Sequence, residues 1–203
     1  MRDGESFVAR ARSCRSREDI QALYAQWAGT YENDLQTGTH NYVALFIVVE
    51  VTLNLGYHTK SPVLDAGCRN GLVGVALAQA GPGSTAIVDG LDLSPHMLRI
   101  AEKCGAYRTK PSQVYELVTC VGTFTHGHVG AIPALREFVR VLKDDGHVVA
   151  TVLEEIWLSW GYQAEVDKLE AEGLVEVVST DLRDYLKGED RAYVLVLQKK
   201  GAV

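Results

Sequence analysis

The stretch Val63–Gly74, VLDAGCRNGLVG, decides the fold. A short apolar run, Val63 to Ala66, meets Gly67 and Gly71 and then a small-residue segment, the order expected of a strand, a glycine turn and a helix. In a sheet of alternating strands and helices such a turn brings backbone close to a nucleotide-like ligand at a helix N-terminus. Two features qualify the motif. Arg69 stands where a third small residue is expected, and the spacing of Gly67, Gly71 and Gly74 does not meet the G-x-G-x-x-G of dinucleotide-dependent oxidoreductases. Asp92 strengthens it: 21 residues beyond Gly71, at the end of the next apolar run, it can accept hydrogen bonds from both hydroxyls of a ribose.

The chain alternates outward from this motif. Ser16, with Asp19 three residues on, predicts a capped helix through IQALYAQWAGTYENDL. A second helix is expected over Thr39 to Leu55. TAIVDGLDLS reads as a strand, and SPHMLRIAEKCG as a helix with Ser94 as cap, Pro95 at its first position and Gly105 as stop. YELVTCVGTF is a strand. GAIPALREFVRVLKDDG is expected to be a helix with Ile132, Leu135, Phe138, Val139 and Leu142 on one face. HVVATVLEE, LVEVVST and YVLVLQKK supply further strands, with a helix ending at EVDKLEAEG between the first two. The expected fold class is α/β: one doubly wound, Rossmann-like domain over 1–203, its sheet mostly parallel with an antiparallel C-terminal edge. Residues 1–15 are expected to be flexible and 16–56 to form an N-terminal helical lid.

Length and charge narrow the function. A chain of 203 residues suits one sizeable core. A net charge of -6 gives no electrostatic footprint for nucleic acid, so no nucleic-acid partner is expected. The most apolar run, Tyr42 to Val49, is about half the ~20 residues a membrane-spanning helix needs, so no membrane partner is expected either. The charged N-terminus lacks the apolar core of a secretory signal, and Cys14, Cys68, Cys104 and Cys120 lie too far apart for a disulfide framework. Together these predict a cytoplasmic protein with reduced thiols, a monomer or weak homodimer.

The pattern D-x-G-C-x-x-G followed by GLDLSPHML resembles class I S-adenosylmethionine-dependent methyltransferases, and within them the methyltransferase-like family named for the Williams-Beuren syndrome region. The similarity extends through YAQWAGTYENDL, VTCVGTFTHGHVG, REFVRVLKDDG, EEIW, LEAEGLVEVVS and YLKGED. It implies S-adenosylmethionine as cofactor, S-adenosylhomocysteine as product and a small-molecule acceptor. Asp65, Gly67, Cys68 and Gly71 would surround the methionine end, Asp92 would take the ribose, and Leu93 and Met97 would flank the adenine. Val121 and Gly122 would border the methyl-transfer face. Tyr24, Trp27 and Tyr31 would form a lid, with core packing the competing reading for these aromatics. The family's middle glycine is Arg69 here, and between Cys104 and Glu116 the chain lacks the length for the relatives' third strand and adenine-binding acid.

Methyl transfer from a sulfonium needs chiefly alignment, and a base only where the acceptor must lose a proton. His126, just past the strand facing the methyl group, is the candidate catalytic residue. His126 and His128 have no supporting ligand cluster nearby, so no metal is expected. Glu154 and Glu155 either close the substrate pocket or begin a helix. Gly67, Gly71 and Asp92 favour a working enzyme. Arg69 and the short segment favour a methyltransferase-fold protein that has lost methyl transfer and binds ligands or catalyses a cyclase-like step.

Overall fold

The computed structural model describes residues 7–14, 16–30, 34, 42–57, 62–80, 87–107 and 114–201. Among the described residues the N-terminal helices include α1 (Phe7–Ser13), α2 (Arg17–Trp27) and α3 (Ala44–Asn54). Then follow β1 (Pro62–Ala66), α4 (Leu72–Gln79), β2 (Ile87–Leu91), α5 (Pro95–Lys103), β3 (Tyr115–Phe124), α6 (Ala131–Val141) and β4 (Leu142–Leu153). The short α7 (Glu154–Trp157), α8 (Tyr162–Ala171), β5 (Val175–Leu186) and β6 (Asp190–Lys199) complete the chain.

The strands form one sheet in the order β2-β1-β3-β4-β6-β5. The first four run parallel, while β6 is antiparallel to both β4 and β5. Covered by helices, the central strands are apolar almost throughout: Leu117, Val118 and Cys120 of β3 and Val148 to Ala150 of β4 are fully buried. A smaller core joins Ala11, Ile20, Leu23, Tyr24 and Trp27 of α1 and α2 to Met97 of α5, and fastens the N-terminal helices over the parallel half of the sheet.

Local chemistry explains the boundaries. Ser16 caps α2, its hydroxyl accepting from the Asp19 amide at 3.1 Å, and Ser94 caps α5 in the same way. Gly105, with φ +77°, follows the end of α5. Two sequence expectations need correction. The described part of the second helix begins at Ala44; residues 35–41, where its earlier start was expected, lie outside the described residues. The helix expected through Gly146 ends at Val141, and Leu142 already belongs to β4, where it is buried as a strand residue. Ile132 is also off the predicted apolar face. It is 71% exposed and extended, as a residue before proline prefers.

The parallel register aligns the ends that matter. Ala66 of β1 pairs with Leu91 of β2, and Asp65 with Thr119 of β3, so the turns after these strands share one rim of the sheet. Beyond β2, the pairing among the described residues is a single parallel bridge from Val88 to Tyr107.

Candidate functional site

The glycine turn is tied down amide by amide. Gly67 and Cys68 both donate to the Leu91 carbonyl, at 2.7 and 3.0 Å, and Arg69 donates its backbone N–H to Oδ2 of Asp92 at 2.9 Å. The other Asp92 oxygen accepts from the Ser94 amide at 2.8 Å. Three successive loop amides are thus engaged by the end of β2. A phosphate cradle needs such amides turned outward, so this loop suits a ligand without phosphates.

Beside the loop lies a cavity of about 280 Å³. Gly67, Arg69, Asp92 and Leu93 form one wall, Thr123, Phe124 and Phe138 another, and Gln21 and Tyr24 of α2 the roof. Gln21 holds α2 to the rim by donating to the Leu93 carbonyl at 2.9 Å. Gly67 has φ +81°, and a Cβ on it would run into the Thr123 side chain, so only glycine fits this wall. A second, smaller cavity lies on the other side of the loop, lined by Tyr42, Asn70 and Val121, and it shares Gly67 and Arg69 with the first. The side-chain carbonyl of Asn70 is buried there without a hydrogen-bond partner. Sequence reasoning passed over Asn70, which no spacing rule marks.

Arg69 stands between the two cavities. Its φ of +49° is left-handed, a conformation an arginine adopts at a cost of roughly 1–2 kcal/mol. The guanidinium donates to the Gly122 carbonyl and lies 5.6 Å from the Tyr24 ring centre. Gly122 has φ +69°, and a Cβ there would press on the guanidinium and on the hydroxyls of Tyr42 and Tyr185.

The expected site residues divide by position. Gly67, Asp92 and Leu93 line the larger cavity, and Cys68 and Val121 the smaller. Gly122 lines neither cavity; its carbonyl accepts from the Arg69 guanidinium. Met97 is fully buried in the small core under α2 rather than beside the cavity, because its position on α5 faces the N-terminal helices. Trp27 is likewise a core residue, stacked on Phe7 and Tyr24 and donating to Asp34 at 2.9 Å, so of the expected lid aromatics Tyr24 alone is described on the cavity. Tyr31 lies outside the described residues. Gly71 caps α4 and backs onto Tyr107, away from the cavity.

Asp65 also lies behind the loop, not in it. Fully buried, it accepts from the Tyr107 hydroxyl at 2.5 Å and the Thr119 hydroxyl at 3.2 Å. Burial raises its carboxyl to about 6, against the pull of those two hydrogen bonds.

Of the two histidines, the one not singled out as catalytic is the one on the cavity. His126, the expected catalytic residue, does not line the cavity: it pairs with Glu155 at 2.8 Å and packs edge-on to Trp160. The turn after β3 sends alternate side chains to opposite sides, and it is His128 that faces inward. The Nδ1 of His128 lies 2.9 Å from both the His126 carbonyl and the Thr125 hydroxyl, and Nε2 lies 3.1 Å from the Tyr24 hydroxyl, so the ring is held from both sides. Burial, and next the Arg69 charge, lower His128 to about 4. Glu154 pairs with Arg191 at 2.7 Å, and both Glu154 and Glu155 belong to the first turn of α7, off the cavity.

Residues 63–146 match the family model described as a methyltransferase domain. The whole chain shares its fold with magnesium protoporphyrin IX methyltransferase from Synechocystis PCC 6803 with bound S-adenosylhomocysteine, at 16% identity, TM-score 0.65, and coverage of 91% of this chain and 99% of that one. A TehB-like S-adenosylmethionine-dependent methyltransferase from Corynebacterium glutamicum matches at 20% identity and TM-score 0.62, covering 88% and 99%. The 4+2 cyclase SpnF matches at 14% identity and TM-score 0.67, covering 93% and 98%. No curated protein sequence matches the chain significantly. The fold is shared with S-adenosylmethionine-dependent methyltransferases, and the Synechocystis enzyme is crystallised with S-adenosylmethionine or S-adenosylhomocysteine bound.

The residues present fit that cofactor. Asp92 retains lone pairs for ribose hydroxyls, Gly67 leaves room at the wall, and the unpartnered Asn70 carbonyl supplies an acceptor for an ammonium group.

Proposed function

We propose that the chain binds S-adenosylmethionine at the larger cavity and transfers its methyl group to a small-molecule acceptor. The observation that carries this reading is the loop itself: its amides are spent on Leu91 and Asp92, while Asp92 and Gly67 still face the cavity, an arrangement for a nucleoside without phosphates. The motifs shared with the Williams-Beuren region family support the same reading.

The bound sulfonium supplies the electrophilic methyl group. Asp92 would accept hydrogen bonds from the ribose at the rim of the larger cavity. Tyr24, held by His128, closes the roof and excludes water. An efficient general base has a pKa near the working pH, and an imidazole at about 4 falls well short. His128 therefore orients the Tyr24 hydroxyl rather than taking a proton from the acceptor. With His126 off the cavity, the site suits an acceptor that is nucleophilic without deprotonation. The apolar walls, Phe124, Val129, Ala134 and Phe138, suit one with an apolar body.

Calorimetric titration with S-adenosylhomocysteine tests the binding site. Two hydrogen bonds to a carboxylate are each worth roughly 1.5–3 kcal/mol, so Asp92→Ala is expected to weaken binding at least about tenfold. Unchanged affinity in a folded variant would overturn the assignment. Arg69 favours a second reading, a methyltransferase fold that binds without transferring methyl groups, because it fixes a positive charge between the cavities. Labelled methyl appearing in a small product supports transfer; binding without any label transfer supports the second reading.

A further inference from the structure

Gln21 of α2 lines the larger cavity, and its side-chain nitrogen donates to the Leu93 carbonyl at 2.9 Å. That contact fixes which way round the amide lies. A carbonyl can only accept, so the nitrogen must face Leu93, and turning the amide over would set oxygen against oxygen. One N–H is spent on Leu93. The second N–H and Oε1 remain side by side along the other edge of the amide, a donor next to an acceptor. Among the described residues nothing else hydrogen-bonds this amide.

Given the ribose position proposed above, on which the inference rests, the amide stands close to where a base must begin. Leu93 follows Asp92 in the chain, about 3.8 Å away between Cα atoms, and the Gln21 nitrogen lies 2.9 Å from the Leu93 carbonyl oxygen. A base joined to that ribose can turn two ways. The deep wall of Phe124, Ala134 and Phe138 offers ring and methyl surface but no hydrogen-bonding group. The rim offers Leu91 and Leu93, 58% and 42% exposed, together with the Gln21 amide. A heterocycle has apolar faces and a polar edge, and an edge left unmatched on binding costs free energy. The rim matches both, which leaves the deep wall to the apolar body of the acceptor.

We propose that Gln21, held by the Leu93 carbonyl, reads the nucleobase and makes this site select a 6-aminopurine over a 6-oxopurine. Oε1 accepts from the exocyclic amino group of adenine while the second N–H donates to the neighbouring ring nitrogen, the bidentate pairing of a side-chain amide with adenine. A 6-oxopurine presents an oxygen where adenine presents N–H, so Oε1 meets a second acceptor. A freely turning amide would relieve this by flipping. Here the flip costs the bond to Leu93.

The test is calorimetry on the full chain with S-adenosylhomocysteine and S-inosylhomocysteine, which carries a 6-oxo group in place of the amino group, and with folding of each variant checked by circular dichroism. The wild type is expected to bind the adenosyl compound at least about tenfold more tightly. Gln21→Met, of similar length but without hydrogen bonds, should bring the two affinities within about threefold. Gln21→Lys, which can only donate, should turn the preference towards the inosyl compound. Equal binding by the wild type, or a tenfold preference that survives Gln21→Met, overturns the reading of the base while leaving the ribose site standing. So does a Gln21→Met variant that weakens both compounds alike, the mark of a contact that only holds α2 in place. Failure of the wild type to bind either compound overturns the ribose site and this inference together.

Discussion

The two edges of the sheet are finished in opposite ways. At the C-terminal edge, β5 pairs with β6 from Val175 to Leu186 along a regular antiparallel ladder with two register shifts. At the other edge, β2 is five residues long, and among the described residues its outer bridge goes to one residue, Tyr107. That ring takes over the work of a neighbouring element: it packs against Gly71, Gly74 and Gly90, and its hydroxyl donates to Asp65 while accepting from the Gly74 amide at 3.1 Å. A long ladder spreads its stability over many pairs. A single side chain concentrates it, directly behind the loop that forms the site.

The largest expected effect follows from this contrast. Tyr107→Ala removes a large ring and leaves a buried carboxyl without its main donor, and should cost roughly 3–5 kcal/mol in chemical denaturation. Val178→Thr, at an exposed position on the opposite edge strand, should cost under about 0.5 kcal/mol. Similar losses at both positions would break the comparison.

Legibility in the sequence follows the same line. Alternating apolar runs and capped helices announced the parallel half, because those signals are local: Ser16, Ser94, Pro95 and Gly105 each act within a few residues. The shortness of the chain between Cys104 and Glu116 was legible, with residues 108–113 outside the described ones. The position of Tyr107 was not, because a ring filling the space above three glycines leaves no periodic trace. The site was half legible. Asp92 and Gly67 follow from motif spacing, whereas the choice between His126 and His128 depends on which way one tight turn faces, and Met97 lies under the lid helix for reasons of packing alone.

The next effect is in pH. The folded-state carboxyl of Asp65 is raised above its ordinary value to about 6, so its contribution is fully present below about 3.8 and lost as pH rises through 6, a difference of about 3 kcal/mol. His128 is depressed to about 4, so its contribution is present above about 6.5 and lost as pH falls through 4, up to about 3 kcal/mol. Across the interval from pH 4 to 6 the two oppose each other. Relative to wild type, Asp65→Asn should therefore lose stability more steeply on acidification, and His128→Gln should gain it. Parallel curves for either variant would contradict the assigned shift.

The smallest effect sharpens the contrast between the two histidines. His126→Ala breaks a half-exposed pair with Glu155 and should change stability by under about 1 kcal/mol, leaving nucleoside affinity intact. A collapse of affinity in that variant would return His126 to the binding machinery.

The most direct measurement is a crystal structure of the chain with S-adenosylhomocysteine. The ribose hydroxyls should lie within hydrogen-bond distance of the Asp92 carboxylate, with the nucleoside in the larger cavity under Tyr24. Nucleoside density elsewhere on the molecule would contradict the account.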